Sequence, residues 1–545
     1  MNLQWDLNYT TSSINMTIEV RNIMLGGSYS FGFGFSDDEN MGDGDLIVVR
    51  VTRTSVAIKD CWLYTNGKVV EDSKHSYKLL GYQYSNGVWN IKVERKFQTC
   101  DGEDYQLDNG TTNVFVVFPI PNNCILSING NGCNLSEATK TLTRVQLLKA
   151  DYRDIPLEPN HKSFSIIAPN ITIPTSQTSY VCSIQKLPKF RTKVHAIGFE
   201  SVIANPGLVH HIEVFMCDAN DKYIPQYVGL CDGREVTDAM KRCSHVVAAW
   251  AFGADPFYYP REAGMAFGVK TASSYVRLEV HYNNPMHIRG LVDGSGIRFH
   301  FTENLRPHDL GIMEVGVIYS ANMAIPPGQK SFKWSGECPG SCTQAAIPAN
   351  GINIFGAELH AHLTGRKAET TLHRTDGTTH VITRDNHYST WFEEIRHVSP
   401  VVKLLPGDSL ITTCTFNTEN RSNITLGGLG LHEEMCVDYI YYYPATNLEV
   451  CKSSISSQAL EMYFKLIKLI KNRSLGIPRP RNSRPLHHEY DVIKWGNSAV
   501  RSLRQLYRFA PMQVNCLRSN GESYPGRWDN ITPATHFPRA MEPQC

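Results

Sequence analysis

The chain has 545 residues, room for three to four domains at about 150 residues each. Its 53 Lys+Arg balance 52 Asp+Glu to a formal charge of +1, which excludes nucleic acid or an anionic membrane surface as a partner held by overall charge. With 42% hydrophobic and 19% charged residues the chain can build several cores, and no run reaches the roughly 18 apolar residues of a spanning helix.

The hydrophobic pattern has a period of two along most of the chain. Ile14–Val20, Val276–Tyr282 and Val437–Tyr442 are short, β-branched or aromatic, and bounded by Gly, Pro, Asn or Asp, which predicts an all-β protein of stacked sandwiches. The run Phe31–Phe35 alternates Phe and Gly and is the one low-complexity stretch. A proline-bearing linker, Asp154–Asn160, ends the first part. Predicted strands Ile297–Thr302 and Met313–Tyr319 flank a second boundary at Leu305–Asp309. Ser457–Lys471 predicts a docking helix with Leu460, Tyr463, Phe464, Leu466, Ile467 and Ile470 on one face, followed by the basic, proline-rich Gly476–Pro485. Four parts are expected: residues 1–155, 156–305, 306–450, and a C-terminal tail 451–545.

Fifteen cysteines are spread from Cys61 to Cys545 with no paired CxxC knuckles, which favours disulfides over structural zinc and hence an oxidising compartment. Glycosylation sequons at Asn8, Asn15, Asn109, Asn134, Asn170, Asn420, Asn423, Asn472 and Asn530 agree. The opening Met1–Asp6 lacks the pattern of a signal peptide, so a signal or anchor is expected upstream of the printed sequence. The odd cysteine count leaves one thiol free or paired between chains.

Three histidine features carry chemistry. His360 and His362 are two apart on a predicted strand, so both rings face one side and can converge on one ion. His210 and His211 are adjacent, and neighbours on a strand face opposite ways. To share an ion they need a bulge, or ring nitrogens of different type. His281 sits in an otherwise apolar strand. Imidazoles alone suit zinc or copper, and a thioether such as Met435 beside them would favour Cu(I). His432–Cys436 mimics a zincin motif, but its fifth position is Cys436 and it leads into a strand. His487, His488 and Glu489 read as a solvated cluster, and no serine elbow, phosphate loop or dinucleotide fingerprint is present.

Val209–Phe215, Tyr259–Gly268, Leu278–Pro285, His360–Lys367 and Glu434–Val437, in this order, closely resemble the copper type II, ascorbate-dependent monooxygenases, within them the dopamine and tyramine β-hydroxylase branch. The resemblance covers nearly the whole chain, with Trp5–Asn8 and Asp45–Val49 similar to that branch's N-terminal DOMON sandwich. It implies a DOMON-like β-sandwich, two copper-binding jelly-roll-like sandwiches, and a tail with a helix. It implies two copper ions, an electron-transfer site of His210, His211 and His281 and an oxygen site of His360, His362 and Met435. Ascorbate would supply electrons singly, O2 would be the co-substrate, and a benzylic hydrogen of an arylalkylamine would be abstracted. One oxygen atom enters the product and the other leaves as water. Asp45 matches a metal position described for the family's first domain, but its companions are altered and no metal is expected there.

Glu358 precedes His360 by two and should face the same cavity. It is expected to pair with the substrate ammonium, or to hydrogen-bond a ligating histidine. Tyr439 should share the face of Met435 and pack on the substrate ring, or belong to the core. Family pairing implies disulfides Cys100–Cys545, Cys182–Cys231, Cys217–Cys243, Cys338–Cys451, Cys342–Cys516 and Cys414–Cys436. Cys124 and Cys133 would then close a small loop, with Cys61 unpaired. The cysteines that link subunits in vertebrate members have no counterpart between Cys451 and Cys516, which leaves a homodimer or homotetramer without that covalent link. The expected activity is β-hydroxylation of tyramine to octopamine or of dopamine to noradrenaline, in a secretory vesicle lumen or outside the cell. The alternatives are the same chemistry on another substrate, or a copper- or ligand-binding protein without turnover.

Overall fold

Alternating apolar residues build the first unit, Met1–Lys149, from two antiparallel sheets. The structure, a computed structural model, describes residues 1–21, 29–37, 41–52, 54–121, 133–136, 138–149, 157–217, 223–243, 245–251, 254–268, 273–430, 432–475, 488–491 and 493–534. The linker residues 154–156, all of Gly476–Pro485, Cys124, His487 and Cys545 lie outside this set. One sheet contains Ser13–Arg21 between Asn2–Asn8 and Val88–Lys96, and the other runs through Gly44–Val51, Tyr29–Ser36 and Thr112–Phe118. The Phe/Gly run is a central strand: Phe31, Phe33 and Phe35 enter the core between the sheets. Gly34 lies so close to the neighbouring strand that a Cβ there would meet Asp45 O at 2.0 Å.

Asp45 is fully buried in this unit. It accepts from Arg95 Nη2 at 2.6 Å, Tyr77 Oη at 2.9 Å and the Tyr105 N–H at 3.1 Å. Carboxylate oxygens of Asp45, Asp60 and Asp104 lie within 4.8 Å of one another, and the buried Arg95 guanidinium supplies positive charge among them.

The second unit, Ala150–Pro538, holds four large sheets. Two form a sandwich between Lys162 and Asp309, and its five-stranded sheet places Tyr275–Asn283 between Thr178–Lys186 and Val209–Met216. Two more follow. The six-stranded sheet places Cys436–Tyr443 between Ile352–Ala361 and Gly311–Val317, and continues through Leu448–Ile455 to Met512–Arg518. The boundary expected at 450 therefore falls inside a strand, and part of the expected tail completes this sheet. A shared core joins the two sandwiches, with Phe257 packed against Phe355 and Tyr441.

The predicted helix spans Ser457–Leu475 and buries Leu460, Tyr463 and Phe464 against Trp334 and Phe416. Leu466, expected on the same face, is exposed, and two further helices, His488–Asp491 and Asn497–Phe509, complete the C-terminal part. In the first of these Glu489 is buried beside Tyr490, so of the two described members of the cluster read as solvated, His488 is exposed and Glu489 is not. Disulfides join Cys182–Cys231, Cys217–Cys243, Cys338–Cys451, Cys342–Cys516 and Cys414–Cys436. Cys133 is disulfide-bonded and Cys61 is a buried free thiol. Among the described residues no helix is long and apolar enough to cross a membrane.

Candidate copper centres

The adjacent histidines meet the geometric demand by bulging. Val209 pairs with Tyr282 and His211 with His281, so His210 is the extra residue of a β-bulge. A bulge rotates the local backbone, so two consecutive side chains reach the same side. One ring nitrogen each of His210, His211 and His281 lies within 4.8 Å of the others, and the Nδ1 atoms of His210 and His211 are 3.3 Å apart. The strand Thr178–Lys186 orients the third ring: Thr178 Oγ1 is 2.6 Å from His281 Nε2, and Tyr180 stacks on the ring at 4.2 Å. That leaves Nδ1 of His281 for a metal, and this atom is buried with no hydrogen-bond partner among the described residues. Burial, then the neighbouring His210, pushes His281 down to about 3, and burial with His281 and His210 holds His211 well below its ordinary value. Neutral, converging imidazoles are the form that binds a metal cation.

The second set is built on paired strands. Glu358 faces Tyr439, His360 faces Val437 and Ala361 faces Cys436, where the ladder ends; His362 and Met435 are the residues that adjoin this end on the two strands. His360 Nδ1 meets Glu393 Oε1 at 3.0 Å, which leaves its Nε2 for a metal, and His362 Nδ1 meets Glu433 O at 3.0 Å. The rings stand at 88° with centroids 5.3 Å apart. Met435 is buried, and Cys436 beside it is tied to Cys414. The buried Glu434 carboxylate accepts from the N–H of His362 at 2.9 Å, the N–H of Thr364 at 2.7 Å and Thr364 Oγ1 at 2.6 Å, locking the turn that carries His362.

Burial, then His360, lowers His362 to about 4. Burial also opposes charge on His360, but Glu393, Glu213 and Glu358 outweigh it and hold the ring up at about 10. In the metal-free chain His360 therefore carries a proton that a bound cation replaces. Two imidazoles with a thioether as third donor would fit copper better than zinc, because the soft sulfur favours Cu(I).

Glu358 is 6% exposed and its Oε2 has no hydrogen-bond partner among the described residues. Burial, then Glu213 and Glu393, raises its carboxyl well above the ordinary range. It shares a sheet face with His360 and with its cross-strand partner Tyr439. Tyr439 in turn packs against the core of the preceding sandwich.

Sequence reasoning missed Thr178, Tyr180, Trp391, Glu393 and Glu434. Thr178 and Tyr180 carry the alternation of their strand, but nothing local pairs them with a histidine a hundred residues on. Glu393 and Trp391 come from a loop with no period.

Two sandwiches each bring histidines together, the kind of site at which imidazoles can hold a metal. The chain belongs to the copper type II, ascorbate-dependent monooxygenase family. The family's N-terminal domain model matches residues 164–289, its C-terminal domain model residues 308–464, and the DOMON domain model residues 1–120. Human dopamine beta-hydroxylase is 39% identical, over 100% of this chain and 87% of its own length. The bovine dopamine beta-hydroxylase is 40% identical over 97% and 85%, and the tyramine beta-hydroxylase of Caenorhabditis briggsae 35% identical over 90% and 82%. The chain is thus an enzyme of copper and ascorbate.

Proposed function

We propose that the chain β-hydroxylates a phenylethylamine, tyramine or dopamine, using O2 and two copper ions. His210, His211 and His281 would hold one ion, and His360, His362 and Met435 the other, in domains near 156–305 and 306–450. The bound copper supplies one-electron redox chemistry that ascorbate renews.

The observation that carries the amine is Glu358: a buried carboxylate with an open oxygen, on the face of His360 and opposite Tyr439. A lone buried anion is costly, and an alkylammonium offsets that cost while placing the carbon next to the ring beside the His360–His362 centre. The aromatic ring of the substrate then lies against Tyr439. Glu393 holds the His360 tautomer and Thr178 that of His281, so neither ring reorients when the metal changes charge. The disulfides support a secretory lumen or the outside of the cell as the place of action, and a homodimer or homotetramer would rest on contacts other than a tail disulfide.

The test is oxygen uptake by the copper-loaded chain with ascorbate and a panel of amines. Tyramine- or dopamine-dependent uptake with one hydroxylated product per O2 is expected. Uptake with neither amine, in a sample holding two copper ions, sinks the proposal.

A further inference from the structure

Between the strands Thr379–Asp385 and Arg396–Leu404 the third sandwich sends out a loop, closed at its base by Arg396 Nη2 and Asp385 Oδ2 at 2.9 Å. The loop turns on itself, with the Phe392 N–H donating to Ser389 O at 3.0 Å and the Trp391 N–H to Ser389 Oγ at 3.3 Å. Its tip reaches the neighbouring sandwich. The Trp391 indole meets His210 edge to face, at 85° with centroids 4.6 Å apart, and lies nearly parallel to His281 at 6.5 Å. Two residues on, Glu393 takes His360 Nδ1 at 3.0 Å. Tyr388 Oη accepts the Ala361 N–H at 2.7 Å, and its single proton is shared between Ala361 O and the Glu393 carboxylate. Phe392, between the two anchors, is buried. A six-residue segment thus grips a histidine of each candidate centre, and no metal is needed for it to do so.

We propose that Tyr388–Glu393 is the bridge that couples the two copper centres, with Trp391 as the positioning residue at the three-histidine centre and Glu393 as the anchor on His360. This rests on the ligand assignment above. The bridge gives an electron a route of packed protein atoms, from the His210 ring into the indole, along three residues of backbone and through the Glu393 carboxylate to the His360 ring. One electron is lost at the three-histidine centre and gained at the His360–His362–Met435 centre. Trp391 ends unchanged, no proton is transferred along the route, and ascorbate later restores the donor. A chain of contacts is a route only if breaking it changes the coupling, so the test must read the coupling itself.

Two readouts do so. In a His360→Ala/His362→Ala background, where only the three-histidine set can load, Cu(II) titration is followed by tryptophan emission. Quenching at one equivalent is expected, and it should be largely lost on adding Trp391→Phe, because the indole that touches His210 is then gone. In the otherwise native enzyme, fully reduced and mixed rapidly with O2 and tyramine, freeze-quenched spin resonance follows oxidation of each copper. Trp391→Ala is expected to lose the fast oxidation of the three-histidine copper, with kcat reduced and KM for tyramine kept, and Trp391→Phe to recover part of it. Glu393→Ala should weaken copper at His360 by about 10- to 100-fold and Glu393→Gln far less. Copper bound at the three-histidine set with Trp391 emission unquenched, or oxidised at the wild-type rate in Trp391→Ala, overturns the bridge alone. Absence of copper from His210, His211 and His281 in the wild type overturns the ligand assignment and the bridge with it. Should Trp391→Ala fail to fold, the freeze-quenched oxidation of the three-histidine copper in Trp391→Phe decides: a rate below wild type is expected, and the wild-type rate overturns the bridge.

Discussion

Thr178 Oγ1 lies 2.6 Å from His281 Nε2, and this one hydrogen bond determines which nitrogen of the ring faces His210 and His211. Replacing Thr178 with Val removes the partner while keeping the β-branched shape of the strand. Copper at the three-histidine centre should weaken by about 10- to 100-fold, with the other centre unaffected. Competition titration with a Cu(I) chelator measures both, and equal loss at both centres would contradict the assignment.

Glu358 is buried on the sheet face of His360, and its Oε2 has no hydrogen-bond partner among the described residues. Glu358→Gln keeps the volume and removes the charge. KM for tyramine should rise by about 10- to 100-fold, the 1.5–3 kcal/mol of a hydrogen bond to a charged group, while KM for ascorbate holds. An unchanged tyramine KM removes the ammonium pairing.

The Cys414–Cys436 disulfide closes a loop of sequence separation 22 and pins the residue after Met435. A Cys414→Ala/Cys436→Ala variant should lose about 2–4 kcal/mol of stability. It should also bind the second copper more weakly, because the strand end next to Met435 is no longer pinned. Denaturant midpoints and copper content together check this, and a variant that retains two coppers at wild-type affinity would refute the link.

Arg95 and Asp45 form a fully buried pair in the first unit, with Asp60 and Asp104 nearby. Arg95→Met leaves these acids without their cation and should cost about 3–5 kcal/mol, read as early loss of amide protection in Gly44–Val51. Protection there equal to wild type would show that the pair is not what holds the strand.

The same acids predict a pH dependence. Burial, offset partly by the Ser76 N–H, raises Asp60 to about 7, and burial with Asp60 raises Asp72 to about 8. Folded carboxyls with raised pKa bind more protons than unfolded ones, so their stabilisation is complete below the ordinary carboxylate range and is lost as pH rises through about 7 to 8. Hydrogen exchange in Val56–Leu63 should therefore speed up, beyond the intrinsic base catalysis, between pH 5.5 and 8, and Asp60→Asn should flatten the trend.

The amino-acid order alone determined the β period and the strands that carry His281 and His360, which follow from alternation. The five described disulfide pairs and the grouping of Met435 with His360 and His362 came only through the resemblance to a known family. Tertiary structure alone decided the rest. Whether His210 and His211 share a face depends on a bulge set by the register against Tyr275–Asn283, which no local pattern announces. The tautomers depend on Thr178, Glu433 and Glu393, which are remote in sequence from the histidines they orient. Leu466 shows the same limit, because helical spacing names a face but only packing decides how wide that face is. Trp391 reaches His210 from another sandwich, through a loop whose sequence has no period to read. Local sequence dictates backbone conformation, whereas convergence of side chains on one point is a property of how sheets pack.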